Sequence, residues 1–529
     1  MEMAGLLSVL PPVLVVLLAI TTKNIIFSLT VGIVCGLGVF ACFSSAAGEN
    51  FLDLIMYGLD LMTQTVGTRD NILLVLFLAF LGGVIAILTA AGCTSAFAGA
   101  VVKRLKNKRG AQFVCFLMGC LIFIDDYFNA VMVGNVSVDI TDKFSISRAK
   151  LAYLIDSTSA PVTILVPVSS WVAAVISMIT PELARYGLAE SGMHIFMKCV
   201  AFNFYAWFTL LIVVVVIAFN VNIGAMRTYE EGLSQTGRDA SIFVDVNERV
   251  VDDMACKQRG TAFDLLVVLL ALVLMSIGFM LYTGGFFEGN ISVQKALLSC
   301  DPNSALASAG FVTLALCFGL FVARGRLSFA KFNEAFLHGV KSMVVSIVIL
   351  VLSWTFSVLL GRDGLGTGAY IADMLIGRLP IWALPAAVFF VSALVSFSTG
   401  ASWGAMGIML PTAIAMCVAV NPAYMDMVLG ATLAGAVFGD HCSPLADTTV
   451  LSASGAGCKH LVHVLTQLPY AMTAGGISLL AFLVAGITQS LPLAVGFGIV
   501  SIAFWGLLWG PKRLFIKNVC NVCKSKSLN

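Results

Sequence analysis

Apolar stretches long enough to cross a hydrocarbon layer of about 30 Å recur along the chain at residues 5–20, 25–43, 71–92, 196–219, 262–283, 305–323, 342–360, 462–488 and 491–509. Four further apolar regions, 111–140, 151–179, 380–420 and 428–457, carry polar, Gly or Pro residues near their middles. These predict helices that stop partway through the membrane. One long polar segment, 220–260, with "RTYEEGLSQTGRDAS" and "NERVVDDMACKQRG", separates the two halves and reads as a loop between them.

The halves resemble each other. "ENFLDLIMYGLDLM" (49–62) matches "KFNEAFLHGVKSMV" (331–344) in pattern, "CLIFIDDYFNAVMVG" (120–134) aligns with "LVSFSTGASWGAMGI" (394–408), and "LVPVSSWVAAVIS" (165–177) aligns with "CSPLADTTVLSA" (442–453), setting Pro167 opposite Pro444. A constant offset between matched segments marks an internal duplication. The loop "KRLKNKR" (103–109) is basic while its counterpart "GRLPI" (377–381) carries one Arg; "DKFSISRAK" (142–150) is basic while its counterpart "NPAYMDM" (421–427) is acidic. The acidic "SSAAGEN" (44–50) likewise faces a basic counterpart, "RGRLSFAK" (324–331). Basic loops stay on the cytoplasmic side, so equivalent loops lie on opposite faces and the repeats are inverted.

That assignment forces residues 111–140 to enter and leave by one face, as a re-entrant hairpin of two helices of about 14 residues with "IDDYFN" at its tip. Residues 380–420 form the matching hairpin from the other side, tipped by "FSTGASWG". Residues 151–179 and 428–457 become broken crossing helices. The expected fold is an all-α integral membrane protein of inverted-topology repeats, each with a re-entrant helical hairpin and a broken transmembrane helix. Residues 1–219 form the first repeat with an N-terminal helix and 220–260 a cytoplasmic loop. Residues 261–490 form the second, inverted repeat, and 491–529 an extra helix with a basic cytoplasmic tail. The start "MEMAG" is acidic, so the first helix reads as retained, not as a signal peptide.

Composition agrees: 59% of the 529 residues are hydrophobic and 11% charged, well under the quarter usual for a soluble domain. The net charge of +2, spread over short loops, gives no reason to expect a nucleic-acid partner. The 14 Cys lie mostly in apolar runs and outline no disulfide framework. Cys520 and Cys523, in "CNVC", form a lone CxxC in the tail, a weak metal signal.

Main-chain breaks at membrane depth survive only where they are buried in protein or line a watery cavity. Inverted repeats whose broken helices meet near the midplane are the architecture of secondary transporters. The candidate cation and proton ligands are Asp125, Asp126 and Asn129 at the first hairpin tip, Asp156, Ser157 and Thr158 before the first helix break, and Asp440, His441, Asp447, Thr448 and Thr449 around Pro444. Carboxylate, hydroxyl and amide oxygens suit a hard cation such as sodium, and a buried, like-charged carboxylate pair favours uptake of a proton when sodium leaves. Asp125 or Asp126 has the alternative role of helix N-cap. Ser398, Thr399, Ser402 and Ser443 suit a substrate carboxylate, which keeps a carrier of an amino acid or small carboxylate as the second reading. Asp440, His441 and Cys442 lack the spaced ligand set of a catalytic zinc, so no enzyme is expected. His460 and His463 are expected at the inner interface, without a role.

"DDYFNAVMVG", "TDKFSISRAKLAYLIDSTSAPV", "PVSSW" and "GDHCSPLADTTVLS" together resemble the NhaC family of sodium/proton antiporters, over about residues 20–490. The longer branch of that family, which the chain resembles most, is similar also to amino-acid and carboxylate carriers. The resemblance implies a bacterial inner-membrane carrier working by alternating access, with no cofactor beyond the sodium and protons it moves. Its partners are then a sodium ion, protons, the lipid bilayer and, in the second reading, a small organic solute; a homodimer is left open. Val138 and Asp139 stand where the resemblance leads one to expect Arg-Pro before "TDK", which weighs against an anionic substrate.

Overall fold

The computed structural model describes residues 5–22, 24–43, 50–123, 125–166, 169–188, 190, 192–242, 260–289, 291–361, 364–367, 370 and 380–510. Pro167, Cys520, Cys523 and most of the acidic loop 44–50 lie outside these. Among the described residues the regular structure is helical, and nine helices are long and apolar enough to cross a membrane.

The first hairpin consists of Lys108–Leu121 and Asp126–Lys143, and the second of Leu384–Thr399 and Ser402–Val420. Their arms are 14, 18, 16 and 19 residues long, so the expected length of about 14 holds for the first arm alone. The chain reverses where helical hydrogen bonding is locally interrupted. The first tip is stopped by Asp125, extended at φ −153°, whose carboxylate accepts from the Phe128 N–H at 3.0 Å. The second turns at Gly400, φ +66°, a left-handed residue against which the Leu445 main chain packs; a side chain there would meet Leu445 Cβ.

The first broken helix is Arg148–Leu165 followed by Ser170–Arg185, and the second Met425–Cys442 followed by Asp447–Ala456. The first break comes later than the polar run "DSTSAPV" suggests. Pro161 sits inside an intact helix, and the hydroxyls of Thr158, Ser159 and Thr163 donate to carbonyls of the preceding turn, a pattern that keeps small polar residues compatible with a buried helix. Asp156 is therefore mid-helix, neither beside a break nor a cap.

The repeats interlock. The second arm of the first hairpin packs on Asp447–Ala456, the end of the second broken helix, while the second arm of the second hairpin packs on Ser170–Arg185, the end of the first. The first of these contacts is set by glycine. A Cβ on Gly134 would lie 2.5 Å from the Gly455 carbonyl carbon, and one on Gly455 would lie 2.6 Å from the Ala130 carbonyl oxygen. Asp126 and Asp447 are the first residues of their helices, and the two glycines sit at the same distance along each, so the helices run parallel and in register.

The segment between the halves is more ordered than a plain loop. It contains the helix Gly224–Thr236, which buries Met226 and Glu230. Glu230 pairs with Lys108 at 2.5 Å and accepts from the Ser147 N–H at 2.8 Å. Asp239 accepts from Arg148 N at 2.6 Å, and the Lys459 N–H donates to the Ser241 carbonyl at 2.8 Å. The segment thus ties the starts of the first hairpin and first broken helix to the region just past the second.

Replacing Gly134 by Leu should push apart the helices that carry Asp126 and Asp447 and cost about 1–3 kcal/mol or more by overpacking. The check is a lower melting temperature of the purified protein together with a weakened sodium response.

Candidate functional site

The two helix ends that meet at the centre each begin with a carboxylate. Asp126 and Asp447 occupy the first turn of Asp126–Lys143 and Asp447–Ala456, where the positive end of the helix dipole favours negative charge. Tyr127 joins them: its hydroxyl donates to Asp447 Oδ2 at 2.5 Å, while Asp447 Oδ1 accepts from the Thr448 N–H at 2.8 Å. Asp440, in the last turn before the second break, accepts from the Thr448 hydroxyl through Oδ2 at 2.7 Å. Asp126 lies within coulombic reach of Asp125 and Asp447, and Asp440 within reach of Asp447, Asp156 and Asp126.

These three carboxylates are buried, with 1%, 1% and 7% exposure for Asp126, Asp440 and Asp447. No Lys or Arg among the described residues forms an ion pair with any of them. Both oxygens of Asp126, Oδ1 of Asp440 and Oδ1 of Asn129 have no hydrogen-bond partner among the described residues. The Trp171 indole N–H faces Asp126 but falls outside hydrogen-bond geometry, and the Trp171 ring packs on Trp403 of the second hairpin with centroids 4.6 Å apart. Asn129 spends its amide protons on the carbonyls of Gly119 and Ile122, at 2.6 and 2.7 Å, which braces the tip and leaves its oxygen free.

Asp125 has a different job from its neighbour. Its side chain caps the helix that Asp126 begins, which is the alternative role the sequence allowed for one of the pair.

Asp156 heads a second cluster, and its shell is full. Oδ2 accepts from Gln467 at 2.5 Å, pairs with His463 Nε2 at 3.2 Å and accepts from the Thr449 hydroxyl at 3.3 Å; Oδ1 accepts from Ser452 at 3.2 Å. The Gln467 amide also donates to the His441 carbonyl at 3.1 Å. His441 Nδ1 lies 3.0 Å from the Tyr205 hydroxyl. Asp156 thus pins the first broken helix to the second and to His460–Thr488, the helix that follows. His463 is fully buried, and His460 Nε2 lies 2.8 Å from the Pro444 carbonyl within the second break.

The remaining sequence candidates serve the main chain. Thr158 bonds its own helix and packs on Gly119. Ser398 and Thr399 donate to Leu394 and Val395 carbonyls at 2.6 and 2.9 Å, Ser402 to Ala436 at 3.3 Å, and Ser443 to Phe397 at 2.9 Å. A hydroxyl whose proton is spent in this way offers lone pairs, not donors, to a ligand. Ser157 lines a small cavity beside His441 and Gln467. Sequence reasoning overlooked Tyr127, Trp171, Tyr205, Ser452 and Gln467, and gave His463 no role. The pair His463 and Gln467, four residues apart on one face of an apolar helix, was the available signal.

Interlocked repeats whose breaks converge on buried, partly unpartnered carboxylates define a membrane transporter. The profile of the Na+/H+ antiporter family matches residues 162–487. A Haemophilus influenzae protein described as uncharacterized is 35% identical over 488 residues, 91% of each chain. The Bacillus subtilis malate-2H(+)/Na(+)-lactate antiporter is 29% identical over 191 residues, 33% of this chain and 38% of its own. The solved Alcanivorax borkumensis YdaH transporter aligns over 94% of this chain and 99% of its own, at 15% identity and TM-score 0.37. The chain belongs to the Na+/H+ antiporter family. It is a multi-pass membrane protein and a sodium-coupled transporter, a class that moves its substrates without enzymatic chemistry.

The two clusters should respond oppositely to substitution. Asp156→Asn removes the charge and replaces one of the two acceptor oxygens by an NH2 donor among His463, Gln467, Thr449 and Ser452, which should cost about 1–3 kcal/mol, read as a fall in melting temperature. Asp126→Asn removes an unpartnered buried charge, so sodium-free stability should hold or rise while the melting shift induced by sodium disappears. Asp125→Asn keeps a competent N-cap and should keep that shift.

Proposed function

We propose that the protein exchanges sodium for protons at Asp126, Asp440 and Asp447. The carrying observation is three buried carboxylates in mutual coulombic reach, with oxygens that no donor among the described residues satisfies and no Lys or Arg among those residues ion-paired to them. Burying several charges of one sign without a counter-ion is prohibitive. Either a sodium ion or a proton offsets them, and occupancy by one displaces the other. Oxygen ligands from Asp126, Asn129 and Asp440, with Asp447 held by Tyr127, match the preference of a hard cation. Alternation of the two occupants on opposite sides of the membrane is antiport.

The orientation belongs to the same reading. The basic loop 103–109 favours placing the Lys108 and Glu230 face and the C-terminus in the cytoplasm of a bacterial inner membrane. The carboxylate exchange named for the Bacillus subtilis relative would require donors or cations facing an anion. The hydroxyls at the second hairpin tip instead spend their protons on carbonyls, which supports an inorganic cation as the cargo.

A sodium pulse to inside-out vesicles should move protons with no organic solute present. For one-for-one competition, apparent sodium affinity should tighten by about tenfold for each unit rise in pH until the site is deprotonated. Proton movement that appears only with malate, lactate or an amino acid would overturn this reading in favour of solute-coupled transport.

A further inference from the structure

A small polar chamber lies on the Lys150 side of the carboxylates. It sits between Arg148–Leu165, Phe204–Phe219 and His460–Thr488, lined by Tyr153, Ser157, Tyr205, Thr209, His441 and Gln467, with Tyr470, Ala471 and Ala474 closing it. Its room for the centre of a water-sized sphere is about 10 Å³, about what a single water requires. Four of its lining atoms have no hydrogen-bond partner among the described residues: Tyr153 Oη, Thr209 Oγ1, His441 Nε2 and Gln467 Oε1. The residues that carry them are 1%, 5%, 2% and 1% exposed. Ser157 lies beside the Tyr153 hydroxyl and Tyr205 beside that of Thr209, each outside strict hydrogen-bond geometry.

We propose that this chamber binds one water molecule, and that this water is a station on the proton path between the Lys150 end of the protein and the buried carboxylates. Buried water typically makes about three hydrogen bonds to polar groups that otherwise lack partners. Gln467 Oε1 only accepts, and the two hydroxyls accept or donate, so a water donates to Gln467 and is held by Tyr153 and Thr209. A sodium ion does not suit the chamber: no carboxylate lines it, and the nearby Asp156 already accepts from Gln467, Thr449 and Ser452 and pairs with His463.

The position fits a relay. On one side the Lys150 ammonium lies over the Tyr153 and Tyr470 rings, 5.8 and 5.5 Å from their centroids, and donates to Val221 O and Asn222 Oδ1. On the other, His441 adjoins Asp440 in the chain. A water between hydroxyls takes a proton from one neighbour and gives one to the next, leaving no charge behind. The water site stands independently of the exchange reading; its proton role rests on it.

The test uses the full chain in lipid nanodiscs, exposed to brief X-ray radiolysis in 18O water, which labels side chains beside bound water. Tyr153 or Tyr205 should gain label in the wild type. Ala474→Ile, which fills the chamber without altering a polar lining group, should lose the label. In vesicles the same variant should cut sodium-driven proton movement at least tenfold, with the sodium-induced melting shift unchanged. Thr209→Val, which removes a hydroxyl at nearly constant volume, should lower proton movement several-fold with that shift also kept. Absence of label in the wild type overturns the water site. Loss of label in Ala474→Ile with unchanged proton movement overturns the relay. A labelled wild type that shows no sodium-driven proton movement removes the relay and the exchange reading together, while the label supports the water site.

Discussion

Three carboxylates are held inside a membrane protein without a paired lysine or arginine among the described residues, and the rest of the architecture answers to that constraint. In a low-dielectric interior such charges are tolerated only if fixed dipoles and a removable cation stand in for side-chain counter-ions. The helix ends at Asp126 and Asp447 provide the dipoles. Tyr127 and Thr448 provide fixed hydrogen bonds to Asp447 and Asp440. What remains unsatisfied among the described residues is chiefly Asp126 and one oxygen each of Asp440 and Asn129, the oxygens that the proposed exchange assigns to its cargo.

Delivering two helix ends to one point explains the re-entrant hairpins and broken helices. A straight crossing helix buries its termini at the membrane faces, far from the centre. A hairpin or break brings a terminus inside, and interlocking the repeats places each against the opposite half. Gly134 and Gly455 let the two carboxylate-bearing helices approach closely, and the hydroxyls of Ser392, Ser396 and Ser443 lace the second hairpin to the second broken helix through carbonyl oxygens. Away from the centre, Asp156 works in the opposite sense. Its oxygens are engaged by partners on two other helices, so it fastens three helices together and is not an open ligand. Polar groups of similar type thus have opposite duties, set by whether protein donors reach them.

Much of the fold was legible along the chain because its causes are local. Long apolar runs, polar interruptions inside four of them, and the reversal of basic loops between the halves are each written in neighbouring residues. They led to hairpins and breaks close to where they occur. The first break lies later than the polar run Asp156, Ser157 and Thr158 suggests, because such a run reads as an interruption of the apolar segment. In the helix, the hydroxyls of Thr158 and Ser159 turn back onto carbonyls of their own preceding turn, and Pro161 rides within it. The helix within 220–260 was hidden by its polar composition, since it is held by Glu230 reaching Lys108 and Ser147 and not by an apolar face alone.

The sequence by itself determined that this is an inverted-repeat membrane protein with acidic residues at its interrupted centres, because hydropathy, charge bias and helix-breaking residues act over a turn or two. Only the tertiary structure decided which acid does what. Asp125 and Asp126 are adjacent and chemically identical, yet one turns to cap its helix and the other faces the central cluster. Asp156 is closed by residues roughly 300 positions away. The availability of an oxygen to a cation depends on which donors three-dimensional packing brings within about 3 Å, and no local pattern encodes that.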